Sequence, residues 1–280
     1  MKPAIVMQTD FTVQTPAVCT MYGVCQMIDP TLRIFDNTHD IPNFDTYQAS
    51  DALIQIVDFW APGTVFVSVV DPTVGTDRKA CVAKLSNGSY VVTPDNGSLT
   101  HVKKYFGIDE VRTIDETRNR LESTKRVSIF HGRDLFAYCA GKLAAGIITY
   151  EEVGPLYPVE TIIEHKIIEP SIDGSKISGM IETIDPHFGL VASNIPSKIF
   201  TAHGIQDGDT VLVQITHKNT SVYEQNVTVQ PSFGYVAIGQ AVVVVSENSK
   251  MQIAINQGHF KDTYGIDCGP DWLITFEKTS

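Results

Sequence analysis

The chain is short of cysteine and arranges none of it. Its five cysteines (Cys19, Cys25, Cys81, Cys139, Cys268) are odd in number and no two are spaced as Cys-x-x-Cys. That predicts neither a disulfide framework nor a zinc ribbon, and it fits a reducing compartment. No apolar run reaches the roughly 20 residues of a membrane span. The N-terminal run Ala4-Ile5-Val6-Met7 ends at Gln8-Thr9-Asp10, too short for a secretory signal, so a cytoplasmic location is expected. Positive charge is also scarce: 21 Lys and Arg against 32 Asp and Glu give a formal net charge of −11, which argues against general affinity for nucleic acid or anionic membrane. The Gly-x-Gly-x-x-Gly and P-loop lysine signatures are missing. The eight histidines show neither His-x-x-x-His spacing nor clustering with cysteine, so no metal site is expected.

What is present is enough for a large core. Hydrophobic residues make up 43% and charged residues 19% of 280, and that length suits two domains. Ala4 to Gln8 reads as a buried strand with Asp10 just past its end. Thr15-Pro16 reads as a helix start, a hydroxyl cap followed by proline at the first helical position. Val18, Tyr22, Cys25 and Ile28 then recur at helical spacing up to Pro30. Leu32 to Phe35 is a second strand, Asp36 to Phe44 a polar loop with one aromatic, and Asp45 to Trp60 an amphipathic helix stopped by Pro62-Gly63. Val65 to Val70 is the third strand. This alternation predicts a mostly parallel, Rossmann-like α/β sheet. Asn87-Gly88 between two β-rich runs signals a hairpin, and Pro94-Asp95-Asn96-Gly97 a turn. Val111 to Ile114 and Val127 to Phe130 read as further strands, and Asp134 to Ala145 as a helix stopped by Gly146. Beyond about residue 158 the texture changes to short alternating segments separated by Gly, Asn, Asp and Ser. Evenly spaced short strands suggest a small barrel or sandwich, and the expected organisation is an α/β domain over 1–158 and an all-β barrel over 159–280, with 261–280 unassigned.

Two stretches invite chemistry: Val70-Asp71-Pro72-Thr73-Val74-Gly75-Thr76-Asp77-Arg78 and Phe130-His131-Gly132-Arg133-Asp134. Each follows an apolar, β-branched run. Strand ends of open α/β sheets carry the ligand crevice, so Asp71, Arg78 and His131 are expected at one crevice edge. Taken singly, Asp71 fits a turn, Arg78 a surface charge and His131 a core histidine.

Read together, several blocks change that. Thr9-Asp10-Phe11, the Ser68 to Arg78 stretch, Pro94-Asp95-Asn96-Gly97 and Phe130 to Ala137 stand in order, followed by Ile184-Asp185-Pro186-His187-Phe188-Gly189, Ser193-Asn194-Ile195, Asn248-Ser249 and Ile253 to Gly258. The chain so resembles the S-adenosylmethionine hydroxide adenosyltransferases (SAM hydrolases), relatives of the fluorinases and chlorinases, over nearly its whole length. The resemblance implies attack of water or hydroxide on the ribose 5′ carbon of S-adenosylmethionine, releasing adenosine and L-methionine with no cofactor. It makes Asp71, Arg78 and His131 the family's triad, with Arg78 and His131 holding the nucleophile and Asp71 orienting them or accepting its proton. It implies that Asp10 binds the ribose hydroxyls, that Phe44 packs over the sugar and sulfonium, that Asp185 and Ser249 hold the amino-acid end, and that Gln257 and Gly258 read adenine. It further implies a homotrimer whose active site lies between subunits.

The chain departs from the family pattern at Leu190, at Thr12 and Thr15, and at His259-Phe260 beside the expected adenine edge. A halide-using relative is the nearest alternative, but a carboxylate beside a halide is repulsive, and the halogenases carry an aromatic where Asp71 stands. A non-catalytic nucleoside-binding protein is the other.

Overall fold

The computed structural model describes residues 2–279. The chain divides into two compact units, one ending at His165 and the other starting at Lys166. Each has its own apolar core.

The first unit is built on a seven-stranded sheet: β1 (Ile5–Thr9), β2 (Ile34–Thr38), β3 (Val65–Val69), β4 (Ala80–Leu85), β5 (Tyr90–Pro94), β6 (Ile108–Thr113) and β7 (Leu156–Tyr157). Their order is β2-β1-β3-β5-β4-β6-β7. The pairings β1–β2, β1–β3 and β3–β5 are parallel, whereas β5–β4, β4–β6 and β6–β7 are antiparallel. The mostly parallel sheet expected from sequence is therefore a mixed one. The cause is local: the Asn87-Gly88 turn joins β4 to β5 as a hairpin, and parallel neighbours need a far longer crossover.

Helices α1 (Ala17–Ile28), α2 (Thr46–Ile54), α3 (Thr100–Tyr105), α4 (Glu116–Asn119) and α5 (Tyr138–Ala145) complete the unit. Helix α1 is entered through Pro16 at the cap position with no side-chain cap, so Thr15 does not serve as the expected cap. Helix α2 is capped by Asp45, which accepts from the Gln48 N–H at 2.9 Å. The helix expected to reach Trp60 stops six residues short, and a 3₁₀ turn (Val57–Phe59) follows. Gly146 ends α5 in the left-handed conformation, as its sequence position predicts. Val127 to Phe130 is not a strand. It is an irregular stretch with Ile129 82% exposed, and the chain then enters α5 through a π-helical turn, Gly132–Ala137. The apolar run faces a cleft instead of a core.

In the second unit β9 (Lys176–Ile184), β10 (Val191–Pro196), β11 (Thr210–His217), β12 (Thr220–Val229), β13 (Ala241–Val245), β14 (Lys250–Ile255) and β15 (Trp272–Lys278) close into a barrel, with β8 (Ser171–Asp173) appended to β9. Around the ring all pairings are antiparallel except β12–β13. Short helices α6 (Ser197–Ala202) and α7 (Phe260–Tyr264) interrupt the strands. The segment left unassigned from sequence supplies α7 and the closing strand β15. Among the described residues no helix is long and apolar enough to cross a membrane.

Candidate active site

Strand order reverses at β1, with β2 on one side and β3 on the other. The switch point therefore lies between β1 and β3, and ligands of open α/β sheets bind outside the strand ends there. Thr9 pairs with Val69 in register, so Asp10 and Asp71 leave adjacent strands at that point. Asp10 is buried and its Oδ2 accepts the Phe44 N–H at 3.0 Å. Burial raises the Asp10 pKa, that backbone N–H lowers it, and the nearby charge of Asp71 adds a smaller upward push.

Asp71, Arg78 and His131 are brought together as a linear chain. Arg78 Nε donates to both carboxylate oxygens of Asp71, at 3.0 and 2.9 Å, and Nη2 donates to Oδ2. The same Nη2 donates to His131 Nδ1 at 3.0 Å. A guanidinium has only donors, so Nδ1 must accept and the imidazole is the neutral form protonated at Nε2. Burial, then the charge of Arg78, lower the His131 pKa, in keeping with that tautomer. The Asp71 and Arg78 side chains are only 5% and 7% exposed, and the guanidinium lies 5.1 Å from the Phe136 ring centroid. Gly75, at φ +79°, lets the Asp71–Arg78 loop approach the other motif stretch: a Cβ there would lie 2.7 Å from the Ser128 carbonyl oxygen.

A cleft of about 520 Å³ opens beside this chain, within the range of small-molecule sites. Asp10, Phe44, Asp71, Ile129 and Phe130 line it, and Arg78 and His131 stand behind Asp71. Phe44 is 68% exposed and takes φ +68°. Phe11, Asn43 and Val74 are further lining residues that the sequence reading left without a role. Phe11 stands in the Thr9-Asp10-Phe11 block and meets Phe130 edge-on at 5.9 Å, so its signal was available. Thr15, one of the departures, also lines the cleft. Thr12, another, holds φ +54°, a conformation costly for a β-branched residue.

On the barrel unit, Asp185 immediately follows β9 and its Oδ1 accepts the N–H groups of His187 and Phe188, both at 2.8 Å. Leu190 turns its carbonyl back onto the Asp185 N–H at 3.0 Å. Gln257 and Gly258 follow β14 at this same end of the barrel, where Lys261 N–H reaches the Gly189 carbonyl. Ser249 stands at the other end of β14, in the turn from β13. Ser249 and Gln257 both adopt positive φ, as do Phe44 and Thr12. Among the described residues, four of the six non-glycine residues with such backbone thus fall on the expected site or its departures, where strain tends to be kept. Of the His259-Phe260 pair, Phe260 is fully buried in the barrel core. His259 caps α7, accepting the Asp262 N–H, and its Nε2 donates to the Pro186 carbonyl at 3.2 Å. Among the described residues no three His, Cys, Asp or Glu side chains group as metal ligands would.

An α/β unit with a buried carboxylate–guanidinium–imidazole chain and a small-molecule cleft at its switch point, followed in the chain by a closed seven-stranded barrel, defines a two-domain protein. The chain belongs to the SAM hydroxide adenosyltransferase family: residues 5–154 match the N-terminal domain of that family and residues 179–273 its C-terminal domain. It is 31% identical to the (R)-S-adenosyl-L-methionine hydrolase of Salinispora tropica over 98% of both chains. It is 28% identical to the hydrolase of the same name from Methanocaldococcus jannaschii over 77% of this chain and 74% of that one. A fluorinase from Actinoplanes is more distant, at 23% identity over 98% and 97%. Among solved structures, an uncharacterized conserved protein from Thermotoga maritima superposes with a TM-score of 0.87 at 31% identity, covering 97% of this chain and 99% of that one.

Proposed function

We propose that the protein hydrolyses S-adenosylmethionine to adenosine and L-methionine. The observation that carries the reading is the Asp71–Arg78–His131 chain at the cleft floor, in a chain whose hydrolase relative aligns over its full length. A water oxygen forms the bond to the ribose 5′ carbon, the carbon–sulfur bond breaks with its electron pair going to sulfur, and the water gives up one proton. The sulfur leaves as a neutral thioether and needs no acid, so the protein's task is to place and polarise the water in line with that bond. Asp71 is the member of the chain that lines the cleft, and an ionised carboxylate has lone pairs to spare after the Arg78 contacts. We assign it to hold the water and take its proton, with Arg78 and His131 fixing its orientation from behind. The resemblance gives the hold on the nucleophile to Arg78 and His131; here Asp71 takes that hold as well as the proton. No metal or cofactor takes part.

Asp10 is assigned to the ribose hydroxyls and Phe44 to the sugar and sulfonium, where a ring face suits a cation. Asp185 is assigned to the methionine ammonium and the backbone of Gln257 and Gly258 to adenine. The resemblance also gives Ser249 to the amino-acid end, but it stands a full strand away from Asp185, at the other end of β14. One barrel unit therefore does not bring the two to the same group, and a Ser249→Ala variant tests its part separately. Because these residues fall on different units, we further propose a homotrimer in which one subunit's α/β unit faces its neighbour's barrel unit.

Incubation with S-adenosylmethionine in oxygen-18 water tests the reading. The expected result is adenosine labelled at the 5′ hydroxyl, with turnover reduced roughly 100-fold or more in Asp71→Asn. Binding without turnover, or a 5′-halo product when chloride or fluoride is added, would overturn it.

A further inference from the structure

Pro94-Asp95-Asn96-Gly97 is a sequence block to which the chemistry above gives no part. The topology places it beneath the site. Strands β3 and β4 are not neighbours, because β5 runs between them, parallel to β3 and antiparallel to β4. The connection carrying Asp71 and Arg78 therefore crosses over the carboxyl end of β5, and the chain leaving β5 passes under it.

That chain grips both feet of the connection. Asn96 Nδ2 donates to the Val70 carbonyl at 2.9 Å, and the Asp95 N–H donates to the Lys79 carbonyl at 2.9 Å. Val70 immediately precedes Asp71, and Lys79 immediately follows Arg78. The grip is itself anchored. Asn96 Oδ1 accepts from the hydroxyl of fully buried Ser98 at 2.8 Å, which turns the amide nitrogen toward Val70. The Asp95 carboxylate accepts from Tyr157 Oη at 3.0 Å and from the Ile163 N–H at 2.9 Å. Gly97 holds φ +107°, and a Cβ on it would lie 2.4 Å from His165 Nε2.

We infer that Asn96 is a positioning residue for the reaction: through the Val70 carbonyl it fixes where the Asp71 carboxylate stands over the cleft. The inference rests on the reading of Asp71 given above. Pinning that carbonyl restricts the backbone torsions that carry Asp71, and misplacement of a reacting group by about 1 Å costs as much as 100-fold in rate.

Asn96→Asp tests this, since it keeps the volume and the acceptor for Ser98 but sets an oxygen against the Val70 carbonyl. The expected result is a kcat lowered roughly 10- to 100-fold with KM for S-adenosylmethionine little changed, and Asn96→Ala should fall in the same direction. Because Asn96 acts through Asp71, Asn96→Asp should lower kcat no further in an Asp71→Asn background. Circular dichroism and thermal unfolding of each variant separate this from loss of fold. A kcat near wild type in both Asn96 variants, or equal fractional losses with and without Asp71, would overturn the inference while leaving the hydrolase reading intact. Undiminished turnover by Asp71→Asn would overturn that reading, and the inference with it.

Discussion

Burial lifts the Asp10 carboxyl above its ordinary pKa, and the Phe44 N–H opposes it. A folded-state pKa raised above the unfolded one stabilises the native state at low pH, and that stability is lost as pH rises through the folded value. At neutral pH the charge that suits Asp10 to ribose hydroxyls is therefore kept at some cost to the fold. Asp10→Asn should raise the melting temperature at neutral pH while raising KM for S-adenosylmethionine roughly 10-fold or more. A lowered melting temperature would show that the carboxylate stabilises the loop instead. His131 runs the other way. Burial and then Arg78 lower its pKa below the ordinary 6.5, so the stability it contributes is complete above that value and is lost as pH falls beneath it. Thermal unfolding followed from neutral to mildly acid pH should show this loss, and His131→Asn should flatten it. Asp71, Arg78 and His131 could be named from sequence because each sits in a multi-residue block. Which of them faces the cleft could not be read, since that depends on how two loops pack across the end of the sheet.

Elements were legible where a local signal fixed them. Asn87-Gly88 gave the hairpin, Gly146 the end of α5 and the Val65 run the strand ahead of Asp71. The same hairpin gives β5 an antiparallel neighbour in β4, which is what turns a parallel sheet into a mixed one. Val127 to Phe130 was misread because β-branched apolar residues suit a strand and a cleft wall equally well, and a single sequence does not say which. The contact between that wall and the Asp71–Arg78 loop depends on Gly75. Gly75→Ala would set a methyl group against the Ser128 carbonyl at a positive φ, so it should destabilise the protein by about 1–3 kcal/mol. Denaturant unfolding measures this, and kcat should fall with it. Asp45→Ala, which removes the cap of α2, should cost about 1 kcal/mol with kcat retained.

For the whole molecule, the change of texture near residue 158 signals a second unit of different character. The units, however, divide at His165 and Lys166, because Ile163 and His165 still bond back to Asp95 and Thr100 of the first unit. Evenly spaced short strands fit a barrel or a sandwich. Closure of the barrel was not legible, because the final strand lies in a segment without a clean alternating pattern. If active sites are shared between subunits, mixing inactive Asp71→Asn and Asp185→Ala proteins and allowing exchange should restore part of the hydrolysis. Sites complete within one subunit would restore none. The barrel also obeys a rule of parity. A closed ring in which every neighbour runs the opposite way needs an even number of members, and this ring has seven. One adjacent pair must share a direction, and β12–β13 is that pair. No tight turn can link such a pair, so the chain from Gln230 to Gln240 has to carry back to the other end of the barrel before β13 can begin. Tyr235 and Ile238, largely exposed in that connection, belong to a crossing the chain makes only because seven is odd.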